Sequence, residues 1–396
     1  MTGPFRSSAA ILIAVLAIGT SYAAPTRDVT SALEWRLVGP FRAGWATAAA
    51  GIAGGSDTFY FGAAGGGVWK TDDAGRTWNA VFDGVGSASV GALAVSRSNP
   101  GTIYAGMGQI TTRYDIASGD GVYRSDDAGR SWRHLGLAAS RHIGALTIDP
   151  HNPDIALVAA LGPVFGPGGE RGVYRTSDGG KNWQRTLFVS ENTGAVDLAT
   201  DPTDARVVFA SVWQVRYRPW LNYFTPDTGP ESGLYKSTDG GLTWSRLTGG
   251  GWPTGALGRI GLAISHRPEG TRVWALIDAE SDGGLYRSDD AGRSWQLVNS
   301  DAELINSYFS LITAAPNDPD TVYTTGRSIH RCSAAGAQCE IVKGGPGGDD
   351  YHHLWIDPLK PERMITGSDQ GAVVTVNGGR TWSSWYNQPT GQFYKL

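Results

Sequence analysis

The octet SDDAGRSW occurs at 125–132 and again at 288–295, and relatives of it stand at 71–78, 176–183, 237–244 and 375–382. A motif repeated at near-constant spacing constrains a fold strongly, because every copy must occupy an equivalent place. The closing tryptophans are Trp78, Trp132, Trp183, Trp244, Trp295 and Trp382. The first five lie 54, 51, 61 and 51 residues apart, and the last gap is 87. That gap holds about two shorter periods. In its middle, CSAAGAQC at 332–339 aligns as a seventh, degenerate copy, with Cys332 at the Ser/Thr position and Cys339 at the Trp position.

Upstream of each copy the order of segments is constant. A GALAVSRSNP-like stretch comes first, then a short β-rich run such as TIYAGMG or VVFASVW, then a glycine and a run such as GVYRSDD that enters the octet. Another run begins at the tryptophan. These are short runs bounded by Gly, Pro, Asn and Asp, which is how strands and their turns read. Four strands per unit and seven units predict an all-β, seven-bladed β-propeller with four-stranded antiparallel blades over residues 34–396. A β-sandwich is also built of short strands, but it would not repeat an octet at a near-fixed period. No helical period is visible, and 56 glycines with 15 tryptophans and 15 tyrosines agree with turns and aromatic-rich strands.

The octet itself reads as the turn between the third and fourth strands. Asp73, Asp127, Asp178, Asp239 and Asp290, with Asn377 in the last copy, stand at its third position, where a short polar side chain accepts backbone N–H bonds. Glycine at the fifth position supplies a positive φ. Tryptophan at the eighth offers a wide apolar face to wedge between neighbouring sheets. A calcium loop is the competing reading, but the twelfth residue from Asp126 is Leu137, where such a loop needs Glu. If the octet is a clamp, a Cys332–Cys339 disulfide is a covalent substitute for it. A free pair or a metal site is the alternative, and zinc-like histidine spacing is missing.

The N-terminus differs from the rest. Arg6 precedes an apolar run from Ala9 to Ile18, and Ser21 and Ala23 stand at the −3 and −1 positions of a cleavage site. Residues 1–23 are therefore expected to be a secretory signal peptide and 24–33 a linker, with the mature protein secreted or periplasmic. An oxidising compartment would let the two cysteines pair. After cleavage no segment is long and apolar enough to span a bilayer. The formal net charge is −4 without any long basic run, so nucleic acid is not an expected partner. No cofactor and no metal are expected.

The motif S/T-x-D-x-G-x-T/S-W is that of the Asp-box, or bacterial neuraminidase repeat. With YFGAAGGGVWKT, RHIGALTIDPHNPD, ALGPVFGPGGERGVYR, WQVRYRPW, HHLWIDPLKPERMITGSDQGAVVTVNGGRTWS and NQPTGQFY, the chain resembles exported bacterial proteins of the BNR-repeat glycosyl hydrolase or sortilin N-terminal-like kind. The likeness runs from about Glu34 to the C-terminus. Members commonly continue into a second propeller, so the chain is expected to correspond to the N-terminal propeller of a longer protein. The resemblance implies glycan chemistry, but sialidases carry six blades and an arginine motif of which GPFRAGW retains only Arg42. Xyloglucanase-type relatives place two carboxylates between two propellers.

In a propeller, ligands meet the face opposite these turns. Loops of that face carry Arg42, Arg141, His142, Arg171 and Arg259, which either bind carboxylates, sulfates or uronic acids in fork geometry or pair with Asp to hold blades together. They also carry Asp349, Asp350, Asp369 and Glu170, candidates for a general acid/base pair, with His352 and His353 beside them. Trp213, Tyr217 and Trp220 either stack on a sugar or peptide, or cover a neighbouring blade. Three functions remain open, of which the first two are recognition or hydrolysis of an extracellular or periplasmic glycan, and a non-catalytic propeller that binds protein or peptide. A third possibility is that activity belongs to an absent C-terminal part.

Overall fold

The computed structural model describes residues 43–113, 116–218, 227–305, 308 and 310–390. Arg42, Trp220, the signal peptide and the linker lie outside them. Seven antiparallel sheets follow one another in chain order, each beginning with an inner strand: Ala46–Gly51, Val90–Val95, Ile143–Ile148, Thr193–Thr200, Leu257–Arg267, Leu311–Ala314 and Tyr351–Ile356. Each inner strand neighbours the next, and Ala46–Gly51 neighbours Tyr351–Ile356, which closes the ring. This is the seven-bladed all-β propeller that the repeat predicts. Helix is limited to two 3₁₀ turns among the described residues, Ala138–Ser140 and Ala302–Leu304. No described helix is long and apolar enough to cross a membrane.

In each of the first five blades the octet is the turn from third to fourth strand, and its hydrogen bonds repeat. At 125–132 the Ser125 hydroxyl donates to Asp127 Oδ1 (2.8 Å), Gly129 N–H donates to Ser125 Oγ (2.8 Å), and Ser131 donates its N–H to Oδ1 (2.8 Å) and its hydroxyl to Oδ2 (2.7 Å) of Asp127. The same set recurs around Asp73, Asp178, Asp239 and Asp290. The fourth position is left-handed as well as the fifth, with Ala128 at φ 60° and Gly129 at φ 92°. In the degenerate copy Ala335 and Gly336 keep those signs, and Cys332 and Cys339, opposite each other across a hairpin, form the expected disulfide.

The tryptophans join blades as expected. Indole N–H groups of Trp132, Trp183 and Trp244 donate to Val81 O (2.7 Å), Leu135 O (2.8 Å) and Thr186 Oγ1 (3.1 Å), each on the preceding blade. Between the inner strands the backbones come very close. A Cβ at Gly91 or Gly144 would lie 2.2 Å from a neighbouring blade's carbonyl oxygen, which only glycine avoids.

The seventh blade departs from the pattern: it has three laddered strands, Tyr351–Ile356, Met364–Ser368 and Gly371–Thr375. Side chains complete its outer edge. Ser383 donates its hydroxyl-bearing residue's N–H to Val374 O (2.8 Å) and accepts from Val374 N on Oγ (3.0 Å). The buried Gln388 amide pairs with both backbone groups of Ala372. Asn387 donates to Gly75 O (2.8 Å) and Arg76 O (2.7 Å), so this segment also ties blade 7 to the first octet.

Candidate functional site

Almost every inner strand carries a β-bulge at the end away from the octets. The register skips Thr47, Gly91, Gly144, Val196, the pair Gly258–Arg259, and His352. A bulge releases one residue from the ladder and re-aims its side chain. Thr47, Arg259 and His352 are thereby brought to the channel, where they line a cavity of about 20 Å³ together with Gln109, Thr111 and Tyr308. That is room for about one water.

Blade 7 gathers the acidic candidates. Asp350 and Asp369 are half-buried, Asp369 N–H donates to Asp350 O (3.1 Å), and His352 Nε2 is 2.7 Å from Asp369 Oδ1. Burial pushes the Asp350 carboxyl up, and the charges of Asp369 and Asp349 push it further against the opposing pull of His352 and Arg327. Asp350 also holds a left-handed backbone at φ 53°. Asp349 is exposed and paired with the Gln370 amide. Around His352 stand Trp45, with ring centroids 5.4 Å apart, and Tyr308 at 5.8 Å, while the Arg113 guanidinium lies 4.5 Å over the Trp45 ring. Trp45, Tyr308 and Arg113 were not singled out by the sequence reading. Trp45 had a signal, since it ends the FRAGW loop, but only the fold places it beside His352.

The other candidates separate from this cluster. Glu170 lies on blade 3, where its carboxylate accepts from Ala139 N–H (2.9 Å), so it is no third member of the acidic group. Arg171 is fully buried and donates to the carbonyls of Leu161, Pro163, Gly166 and Gly168, which clips its own loop shut. It is neither an exposed ligand fork nor an inter-blade ion pair. Arg259 is buried and donates to Tyr308 O (3.0 Å); burial pulls its pKa down to about 10, which leaves it protonated. His142 and His353 are both pulled down to about 4 by burial and stay neutral at pH 7. His142 Nδ1 is 2.8 Å from Gln109 O, a structural tie, whereas His353, one of the residues lining the channel cavity, has a buried Nδ1 with no partner.

Trp213 and Tyr217 resolve to packing. Both are buried in one apolar cluster with Ile110, Leu161 and Val196, the Trp213 indole donates to Asp227 O (2.7 Å), and the Tyr217 hydroxyl donates to Thr111 O (3.0 Å). Neither ring is open to a sugar. Arg141 alone of the described arginine candidates is exposed, on a left-handed backbone at φ 59°. Among the described residues no group of three or more metal-type ligands converges.

A family model described as "Sortilin, neurotensin receptor 3" (Sortilin-Vps10) matches residues 120–250. The chain is an Asp-box β-propeller. A xyloglucanase of Paenibacillus sp is 28% identical to this Asp-box propeller over 296 residues, covering 71% of the chain and 24% of the relative. A xyloglucanase of Hypocrea jecorina is 23% identical over 363 residues, covering 83% and 37%. The Asp-box propeller thus spans 24% and 37% of the length of these curated relatives. Among solved structures, the GH74 xyloglucanase of Xanthomonas campestris matches with a TM-score of 0.63 at 17% identity, covering 87% of this chain and 54% of that one. A YCF48 structure with bound peptide matches with a TM-score of 0.56 at 13% identity, covering 87% and 97%. At such identities the structural matches speak for the fold.

Proposed function

We propose that this exported Asp-box propeller engages a polysaccharide across its upper mouth and that Asp350 and Asp369 form the acid–base pair of a glycoside hydrolase site. The observation that carries the reading is the unequal setting of two neighbouring carboxyls. Asp350 is raised by burial and by its acidic neighbours, which suits a proton donor to a glycosidic oxygen. Asp369 is held by His352 at 2.7 Å, which suits the carboxylate partner. The distant likeness to xyloglucanases supports the substrate class.

The test is turnover of xyloglucan and other plant or bacterial polysaccharides by the mature protein, with Asp350→Asn, Asp369→Asn and Asp349→Asn variants. Turnover lost in the first two and kept in the third is the expected result. No turnover and no retention on any glycan sinks the reading. A second reading, a non-catalytic peptide-binding propeller, is favoured by the match to peptide-bound YCF48 over nearly the whole of both chains. Retention of peptides without turnover of glycans would select it.

A further inference from the structure

At six of the seven seams between blades, a side chain of the preceding blade lies on the glycine at the fifth octet position. A Cβ on Gly129, Gly180, Gly292 or Gly336 would lie within 3.2 Å of Val81, Leu135, Leu247 or Val298, each three residues after the eighth octet position of its own blade. Leu157 covers Gly241 and Ser383 covers Gly75 in the same way. Gly379, at the seam of blades 6 and 7, meets only Trp382 of its own octet, at 3.6 Å. Val342 is the counterpart of Val81 and Leu135 there, and it does not reach Gly379.

The residue before the octet also crosses the seam in blades 2 to 5. Arg124 Nη1 pairs with Asp154 Oδ1 (2.6 Å), Arg175 Nε donates to Gly240 O (3.0 Å), Lys236 Nζ to Ala291 O (2.8 Å) and Arg287 Nη1 to Ala335 O (3.2 Å). Arg331, the equivalent in blade 6, stays within its own blade, opposite Tyr323 and 3.6 Å from Glu340. A cleft of about 350 Å³ opens between blades 6 and 7 as a result. The seam of blades 3 and 4, bridged by Arg175, keeps only about 170 Å³. Protein interiors hold few voids wider than a water, so the larger opening belongs to the degenerate blade and not to the architecture.

The walls of the cleft are of two kinds. Leu354 and Met364 are buried and Trp382 and Tyr323 half-buried, while Asn317 and Glu362 are exposed beside Arg331. Both signs of charge surround it: Arg331, and Lys343 lying 5.0 Å from the Trp382 ring, stand against Glu362 and Glu340, with Asp318 acting on Tyr323. Neither an anion nor a cation is singled out by that balance.

We propose that the cleft between blades 6 and 7 binds one ring of a neutral sugar, apart from the acidic cluster at the upper mouth. A pyranose carries C–H groups on its faces and hydroxyls along its edge. Aromatic and aliphatic walls suit the faces. An amide, a guanidinium and a carboxylate together offer hydroxyls both donors and acceptors. The volume is near the lower end for ligand pockets, which suits one ring. Asp350 precedes the strand Tyr351–Ile356 and Asp369 follows Met364–Ser368, whereas the cleft takes Leu354 and Met364 from the other ends of those strands. The inference extends the glycan reading above to a second site and uses none of the residues of the first. An apolar side chain of a peptide is the competing occupant.

The experiment is NMR of the full chain with isotope-labelled methionine methyls, titrated with cellopentaose, xyloglucan oligosaccharides and galactomannan oligosaccharides. Met364 lines the cleft and Met107 is buried in blade 2, so one methyl reports binding and the other is the reference. A saturable shift of Met364 with Met107 unmoved is expected, at a Kd of about 1 mM or below. Glu362→Ala should weaken binding about tenfold through loss of charge-assisted hydrogen bonds. Val342→Trp fills the cleft and should abolish binding, and thermal melting checks that both variants are folded. No Met364 shift at ten times that concentration, a shift unchanged in both variants, or a larger shift with N-acetylphenylalanine amide than with any sugar overturns the proposal. Glycan turnover without a Met364 response overturns this inference alone. A Met364 response without glycan turnover supports it and removes only the hydrolytic reading.

Discussion

Gln388 takes the place of a strand beside Ala372: its Oε1 accepts from Ala372 N–H (2.9 Å) and its Nε2 donates to Ala372 O (2.5 Å). One side-chain amide thereby satisfies the backbone groups that a fourth strand of blade 7 would have paired. Gln388→Ala leaves both groups buried without partners and is expected to cost about 2–4 kcal/mol. Urea unfolding of wild type and variant measures it, with Ser383→Ala as a milder companion at Val374.

The octet aspartates make stability depend on acid pH. Hydrogen bonds from Ser131, Asn182 and Thr243 hold Asp127, Asp178 and Asp239 down to about 2, and Asp290 reaches about 2 because the bonds from Ser294 outweigh slight burial. An unfolded aspartate titrates near 4. The bonds to the carboxylates therefore stabilise the fold above about pH 4, and the contribution disappears as pH falls through about 2. Asn377 keeps the turn with an amide, its Nδ2 donating to Thr381 Oγ1 (2.7 Å) and its Oδ1 accepting from Thr381 N–H (3.0 Å). A variant with Asn at 127, 178, 239 and 290 should show a flatter urea midpoint between pH 4 and 2. An unchanged slope would remove these carboxylates as the cause.

Arg171 is expected to be structural in its effect. Arg171→Met removes the donors to four loop carbonyls and should cost about 3–5 kcal/mol, with proteolytic nicking between 162 and 170 under native conditions. Lysine should not rescue it, because an ammonium on a linear stem lacks the planar fork that reaches Leu161 O and Gly166 O together. Calorimetric melting and limited proteolysis check both statements.

The titration of Asp350 should depend on the charge of Asp369. Asp369→Asn removes a charge that pushes Asp350 up, so Asp350 should lose its proton at lower pH in the variant. The shift should be smaller than Asp350's whole displacement, because burial is the larger cause and persists. Carboxyl carbon chemical shifts followed against pH measure it directly. If Asp350 is the proton donor, wild-type activity falls as pH rises through its pKa.

The octets made most of the fold legible, because their chemistry is local. A Ser, an Asp two residues on and a Gly at the fifth position satisfy one another within eight residues, so their period counts blades without any knowledge of tertiary contacts. Cys332 and Cys339 were legible for the same reason. The acidic site was half legible: Asp349, Asp350 and His352 lie within four residues of one another in the chain, and Asp369 joins them because both loops belong to one blade. Arg171, Arg259, Trp213 and Tyr217 read as ligand groups only from their place on loops. What satisfies them is the backbone of their own or the neighbouring blade, and carbonyl positions leave no mark in residue identity. The same holds for Gln388, whose role as a surrogate strand is a matter of where Ala372 comes to lie.

Trp132, Trp183 and Trp244 each spend the indole N–H on the blade before, so each of these units completes its predecessor and is itself incomplete. A single unit excised from this chain would carry a donor with no acceptor on one side and an unfilled seat on the other. Gain or loss of one copy is therefore a change of ring geometry as well as of length, and the number of units can alter only if the curvature at every seam alters with it.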